Sequence, residues 1–230
     1  MTMMLRMAGT LGQRLEVDPA LVGWWRFDGN LTDASGNGNT LAWSGADAYA
    51  QGKYGQSAGP FTDSNFISSS ANLFGSFGSP SKFTVSFWVN TTSTDRQQFV
   101  GEYQISGNQR GWLFERNSGT HIQLIVSING TQFQGTLFEY NLPTNKWVFL
   151  CVTYDGTGNL NFYADGLLIG TTPAPYETIH AGTESLFIGK SAHAPDRAVQ
   201  GQIDNPMIYN RALTPSEIKY VYDTGRPVLK

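Results

Sequence analysis

Trp147-Val-Phe-Leu-Cys-Val-Thr-Tyr154-Asp155-Gly156-Thr-Gly158-Asn159-Leu160-Asn-Phe-Tyr163-Ala-Asp165-Gly166-Leu-Leu168-Ile-Gly-Thr-Thr172 is the stretch that decides the fold. Its first run, Trp147–Tyr154, is aromatic and β-branched, which suits a pleated, half-buried surface. Asp155-Gly156 and Gly158-Asn159 form a turn, because Gly accepts positive φ and Asp or Asn can bond its own backbone. Leu160–Tyr163 is a second strand. Asp165-Gly166 is a two-residue hairpin signal, and Leu168–Thr172 leaves it as a third strand. Three strands joined by tight turns give an antiparallel meander, so the class is all-β.

The same signals recur on both sides of the meander. Upstream, Leu21–Asp28 reads as the first strand, and Gly29–Asn39 as a polar loop rich in Gly and Asn. Short strands are expected at Thr40–Trp43 and Asn65–Ser68, with a Gly-rich turn over Gly52–Gly59. In Phe83–Val89, residues Phe83, Val85, Phe87 and Val89 alternate with Thr84, Ser86 and Trp88, the period of a strand. Phe99–Tyr103, Gly111–Glu115, Ile122–Ile128 and Gln132–Leu137 continue the pattern, with Asn129-Gly130 as a hairpin turn. Ser185–Gly189 and Gln202–Tyr209 are the last strands. One helix is predicted behind the capping box Thr214-Pro215-Ser216-Glu217, with Ile218, Val221 and Tyr222 at helical spacing and Gly225 as its stop. It is expected against the edge of the sandwich.

Composition narrows the class of function. The chain has 230 residues, a formal charge of −3, 13% aromatic and 14% charged residues. A single large β domain of that length buries about 70% of its unfolded surface and needs no disulfide. Its single cysteine, Cys151, lies in a strand and reads as a small core residue. The mild acidity argues against a nucleic-acid partner. No apolar run reaches the roughly 18 residues of a membrane span. Met1–Ala20 has no regular period and no uninterrupted apolar core of a secretory signal, so it reads as an N-terminal arm.

Four blocks carry a family resemblance: Trp24–Asn30 running into Asp33–Asn39, then Phe83–Val89, then the meander with Tyr154-Asp155-Gly156 and Tyr163–Gly166, then Gly201–Ile218. Together they resemble the laminin-G-like domains of the concanavalin A-like jelly-roll superfamily. The resemblance implies an all-β, two-sheet antiparallel jelly-roll sandwich over residues 21–230, with the arm 1–20 outside it. It also implies calcium, bound between the first loop and the last strand. Ca²⁺ takes six to eight oxygen ligands. Asp28, Asn30, Asp33 and the Ser35–Asn39 loop with Asn39 are candidates, and Asp204 matches the acidic position of Gly-x-Ile-Asp. Asn205 stands where the family usually has a further acid, which lowers the local charge.

Catalysis finds no support in the pattern. Glycoside hydrolysis needs two carboxyl groups across one cleft, and Glu102, Glu115 and Glu139 stand alone. His121, His180 and His193 are far apart. The chain is therefore expected not to be an enzyme. Sugar binding would use loop aromatics, with Trp43, Trp112 and Tyr176 as the ligand-binding candidates and Tyr49 and Tyr54 beside them. Trp25, Phe27, Phe87, Trp147, Phe149 and Phe162 are expected in the core.

Two functions follow as expectations. One is a structural virion protein of a tailed phage, as capsid decoration, fibre or tail component. It would need neither export signal nor disulfide, and would dock through its arm on other virion proteins or copies of itself. The other is a stand-alone carbohydrate-binding or adhesion module, extracellular and calcium-dependent, with glycans as partners.

Overall fold

The computed structural model describes residues 16–70, 72–73, 78–79, 81–190 and 195–230. In chain order the strands are β1 (Leu21–Trp24), β2 (Leu41–Trp43), β3 (Tyr49–Gln51), β4 (Gln56–Ala58), β5 (Ile67–Ser69), β6 (Lys82–Thr91), β7 (Gln97–Gln104) and β8 (Gln109–Ser118). Then come β9 (His121–Gly130), β10 (Phe133–Glu139), β11 (Val148–Asp155), β12 (Asn159–Ala164), β13 (Leu167–Pro173), β14 (Phe187–Ile188), β15 (Gly201–Tyr209) and the helix α1 (Pro215–Thr224). They form two antiparallel sheets packed face to face. One runs β13-β12-β11-β6-β15-β4-β3, with β1 also paired to β15; the other runs β10-β9-β8-β7-β14-β5-β2.

Strand periodicity builds the core. On β6, Phe83, Val85, Phe87 and Val89 point between the sheets, and β11 adds Val148, Leu150, Val152 and Tyr154. Phe99, Trp112, Phe114, Leu124 and Val126 meet them from the other sheet. Each such side chain contributes about 1.5–3 kcal/mol by leaving water. The alternate residues are also covered. Trp88, Phe149, Cys151 and Tyr163 form a second cluster with Met207, Tyr209, Leu213, Ile218 and Val221. The helix thus lies on the outer face of the first sheet rather than at its edge, because that face is itself apolar. Burial pushes the Cys151 thiol pKa far up, which leaves it a core residue.

The meander is built as its sequence says. Asp165 and Gly166 both take positive φ, 49° and 76°, as a type I′ hairpin requires. Thr214 caps α1 reciprocally with Glu217, and Gly225 closes it in the left-handed conformation. Elsewhere the structure departs from expectation. The first strand stops at Trp24, since Trp25 forms an isolated bridge to Asp33 and Phe27 turns the chain with φ 56°. Gly52–Gly59 is more than a turn, because it contains β4, which pairs with β3. The Asn129-Gly130 turn is wider than two residues: Asn129 Oδ1 accepts from the backbone N–H of both Thr131 and Gln132, which draws them into the loop.

Residues 1–15 of the expected arm lie outside the described residues. Glu16–Ala20 belongs to the domain. Glu16 and Lys230 exchange backbone hydrogen bonds of 3.0 and 2.8 Å, and Val17 bridges to Leu229. Buried Asp18 accepts from Arg211, whose guanidinium also holds Glu217 on α1 at 2.6 and 2.8 Å. Both ends of the described chain are thereby fastened beside β1 and α1.

Candidate functional site

The site grows from a bulge. β15 pairs with β6 along its length, but its register shifts between Asp204 and Met207, and Asn205 takes φ 53°. A bulge re-aims the side chains around it. Here it lies where the far neighbour of β15 changes from β4, paired through Ile203, to β1, paired through Met207. A second left-handed residue, Phe27, directly precedes Asp28. Non-glycine residues held in this region carry strain of about 1–3 kcal/mol and gather at functional sites. Here they flank two carboxylates, Asp28 and Asp204, that hold the same turn.

Asp28 and Asp204 both hold the turn between β3 and β4. Gln56 N donates to Asp28 Oδ1 at 3.0 Å, and Tyr54 N donates to Asp204 Oδ2 at 2.9 Å. Glycine is required on this turn. A Cβ on Gly55 would come within 2.0 Å of Asp28 Oδ1, and one on Gly52 within 2.8 Å of Asp204 Oδ2. Asp28 is also paired with Arg26 at 2.8 Å. Asp204 is fully buried, and its Oδ1 has no partner. Burial pushes the Asp204 pKa up to about 7, against the N–H groups of Tyr54 and Lys53, with the charge of Asp28 adding to the rise.

The five residues expected to hold calcium therefore separate. Asp28 and Asp204 come together. Asp33 instead organises its own loop, where Oδ1 accepts from Trp24 N and Ser35 N and Oδ2 accepts from Asn39 N. Asn39 Nδ2 donates to Val22 O, and Asn30 closes a local turn with Asp28 O and Thr32 N. All three side chains are engaged within the loop. No group of three or more acidic, His or Cys side chains that could hold a metal ion occurs among the described residues. Asp204 thus keeps one buried oxygen without a partner, close enough to Asp28 to feel its charge.

An aromatic groove of about 530 Å³ opens beside Asp28, lined by Trp24, Arg26, Tyr54, Asn205 and Arg226 among others. The strand period explains it: Trp25 is fully buried, so its neighbour Trp24 faces outward. The Trp24 indole N–H donates to Asn205 Oδ1 at 2.5 Å, and the Arg26 guanidinium lies 5.9 Å from the ring centroid. Tyr54 is held by its hydroxyl on Tyr222 O at 3.3 Å. Asn205 Nδ2 donates to Gly225 O, so the groove is braced from the first strand to the helix end.

Of the aromatics expected to bind sugar, Tyr54 lines this groove and the others lie elsewhere. Trp112 has no exposed surface and packs on Phe83, which rules it out as a platform. Trp43 is half-buried, stacked on Phe61 and edge-on to Tyr49. Tyr176 is half-buried against the main core, where its carbonyl accepts from the Tyr154 hydroxyl. Two of the three isolated acids are engaged: Glu115 is buried in a bidentate pair with Arg96, and Glu102 accepts from Asn72 and Leu73. His193 lies outside the described residues. Trp24 was the missed residue, and the alternation through Trp24-Trp25 was the signal that could have found it.

Residues 61–219 match the family model of the concanavalin A-like lectin/glucanases superfamily, and the chain belongs to that superfamily. Botulinum neurotoxin type G of Clostridium botulinum is 27% identical over 154 residues, 61% of this chain. The chain spans 12% of that toxin's length. The binding domain of the serotype G toxin superposes with a TM-score of 0.73 at 18% identity, over 89% of this chain and 51% of that domain. Domain 4 of the extracellular arabinanase AbnA from Geobacillus stearothermophilus, in complex with arabinotriose, superposes at 0.65 with 20% identity, over 91% of this chain and all of that one. A type C toxin structure, whose cell entry depends on two ganglioside molecules, superposes at 0.71 with 19% identity, over 90% of this chain and 51% of that one.

Proposed function

We propose that this chain is a non-catalytic recognition module that binds carbohydrate in the Trp24–Tyr54 groove. The observation that carries the reading is the groove itself: two half-buried aromatic rings with Arg26, Asp28, Asn205 and Arg226 around them. Sugar rings bind through C–H faces on aromatic rings and hydroxyls on convergent polar groups, and this lining offers both. The arabinotriose and ganglioside partners of the structural neighbours support the same chemistry. These comparisons favour the binding module over the virion role expected from sequence. A module of this kind acts outside the cell, on exposed glycans.

Calcium is part of the proposal. Asp28 and Asp204 would hold the ion, which would supply the open Asp204 oxygen with a cation and fix the turn that carries Tyr54. Asn30, Asp33 and Asn39 would shape the adjoining loop rather than ligate. A glycan array probed with the purified chain, followed by calorimetry on the strongest binder, tests the function. Saturable binding that Trp24→Ala weakens at least about tenfold is expected, as for an anchoring aromatic. Binding to no glycan, or equal binding by the variant, contradicts the proposal.

A further inference from the structure

A second cleft, of about 650 Å³, lies on the outer face of the first sheet and is lined by Pro60, Asn90, Asn145, Gln200, Gly201 and Gln202 among others. Asn90 and Gln202 are directly opposite in the β6–β15 ladder, two residues along from the Trp88–Asp204 pair. Residues two apart share a face. Trp88 is covered by Tyr54, Phe149 and Tyr222, whereas Asn90 and Gln202 remain half-buried and reach the cleft.

From this cleft we infer a second carbohydrate site, selective for neutral sugars. Its backbone is pinned while its side chains are uncommitted. Gln200 O accepts from Thr92 N and from the hydroxyls of Thr91 and Thr92, and Asn145 N donates to Thr91 O. A Cβ on Gly59 would meet Gly201 O at 2.3 Å, so the segment carrying Pro60 packs directly on the start of β15. The amides of Asn90, Asn145, Gln200 and Gln202 make no hydrogen bond to any described residue. Each amide offers donors and an acceptor, which matches hydroxyls that both give and take hydrogen bonds. No ionisable side chain is among the lining residues, so nothing there selects for a carboxylate, phosphate or cation. An ordinary solvated strip would also carry amides. This one adds a cleft of ligand size and fixed backbone around four free amides.

The inference extends the binding reading to a separate site, and one titration distinguishes the two. ¹⁵N-labelled protein is titrated with arabinotriose, lactose and sialyllactose up to about 20 mM, well above a millimolar Kd. Saturable shifts of the Asn90 and Gln202 side-chain NH₂ resonances are expected with a neutral sugar. Asn90→Ala with Gln202→Ala should weaken binding, read at the Asn145 and Gln200 side-chain NH₂ resonances, at least about fivefold. Gln200→Ala, at an exposed position, should weaken it without altering the fold. Trp24→Ala should leave it unchanged. Shifts confined to the Trp24 indole overturn this inference and preserve the first site. The absence of any shift also overturns this inference, whereas the first site falls only if no glycan on the array binds.

Discussion

Asp28 and Asp204 grip one turn from two sides, through Gln56 N–H and Tyr54 N–H, and Asp204 leaves one buried oxygen open. That relationship predicts calcium-linked stability. An ion present at 100 times its Kd stabilises by about 2.7 kcal/mol, or about 5–10 °C in Tm for a domain of this size. Scanning calorimetry in calcium and in chelator should show the shift. Asp204→Asn should abolish it. An identical Tm in both buffers, or the same shift in the variant, counts against the ion.

Asn205 explains why a second acid is missing beside Asp204. Its Nδ2 donates to Gly225 O at 2.9 Å and its Oδ1 accepts from Trp24. Asn205→Asp keeps the acceptor and sets a carboxylate oxygen against a carbonyl. Urea unfolding in chelator should give a loss of about 1–3 kcal/mol. Unchanged stability would show that the bridge to the helix end is dispensable.

Arg211 ties the start of the domain to the helix, between Asp18 and Glu217. Burial alone would raise the Asp18 pKa, but Ala20 N–H, Arg211 and Lys230 outweigh it and lower it. The Arg211 guanidinium, with Thr214 beside it, holds the Glu217 pKa down at about 2 from 4.5. A folded pKa below the unfolded one gives stability that is complete above about pH 4.5 and lost as pH falls toward 2. Urea midpoints between neutral and acid pH should fall less steeply for Glu217→Gln than for the native chain. Parallel curves would contradict the linkage. Arg211→Ala leaves buried Asp18 with only Lys230 and the Ala20 N–H and should cost about 3 kcal/mol.

Trp112 separates core from platform. With no exposed surface, Trp112→Ala should cost about 3–5 kcal/mol of stability. Any folded fraction should keep its affinity for sugar. A variant of native stability that loses binding would return Trp112 to the ligand site.

Much of the fold was legible because its signals are local. Phe83–Val89 alternates, Asp165-Gly166 turns, and Thr214–Glu217 caps, each within a few residues. The β3–β4 hairpin was not, since three-residue strands among glycines carry no period. The candidate site was half legible. Acidic residues in a polar loop all look like ligands, but whether Asp33 faces an ion or its own backbone depends on the Trp24, Ser35 and Asn39 N–H groups that reach it. Asn90 and Gln202 meet only through the β6–β15 register, which no short stretch reveals.

The most direct test of the binding reading is the indole N–H spectrum of the six tryptophans as the strongest glycan from the array is added. The Trp24 resonance, whose proton lies on Asn205, should move saturably, with the Trp112 resonance fixed. Movement of other indoles with Trp24 unmoved, or none at all, would contradict the account.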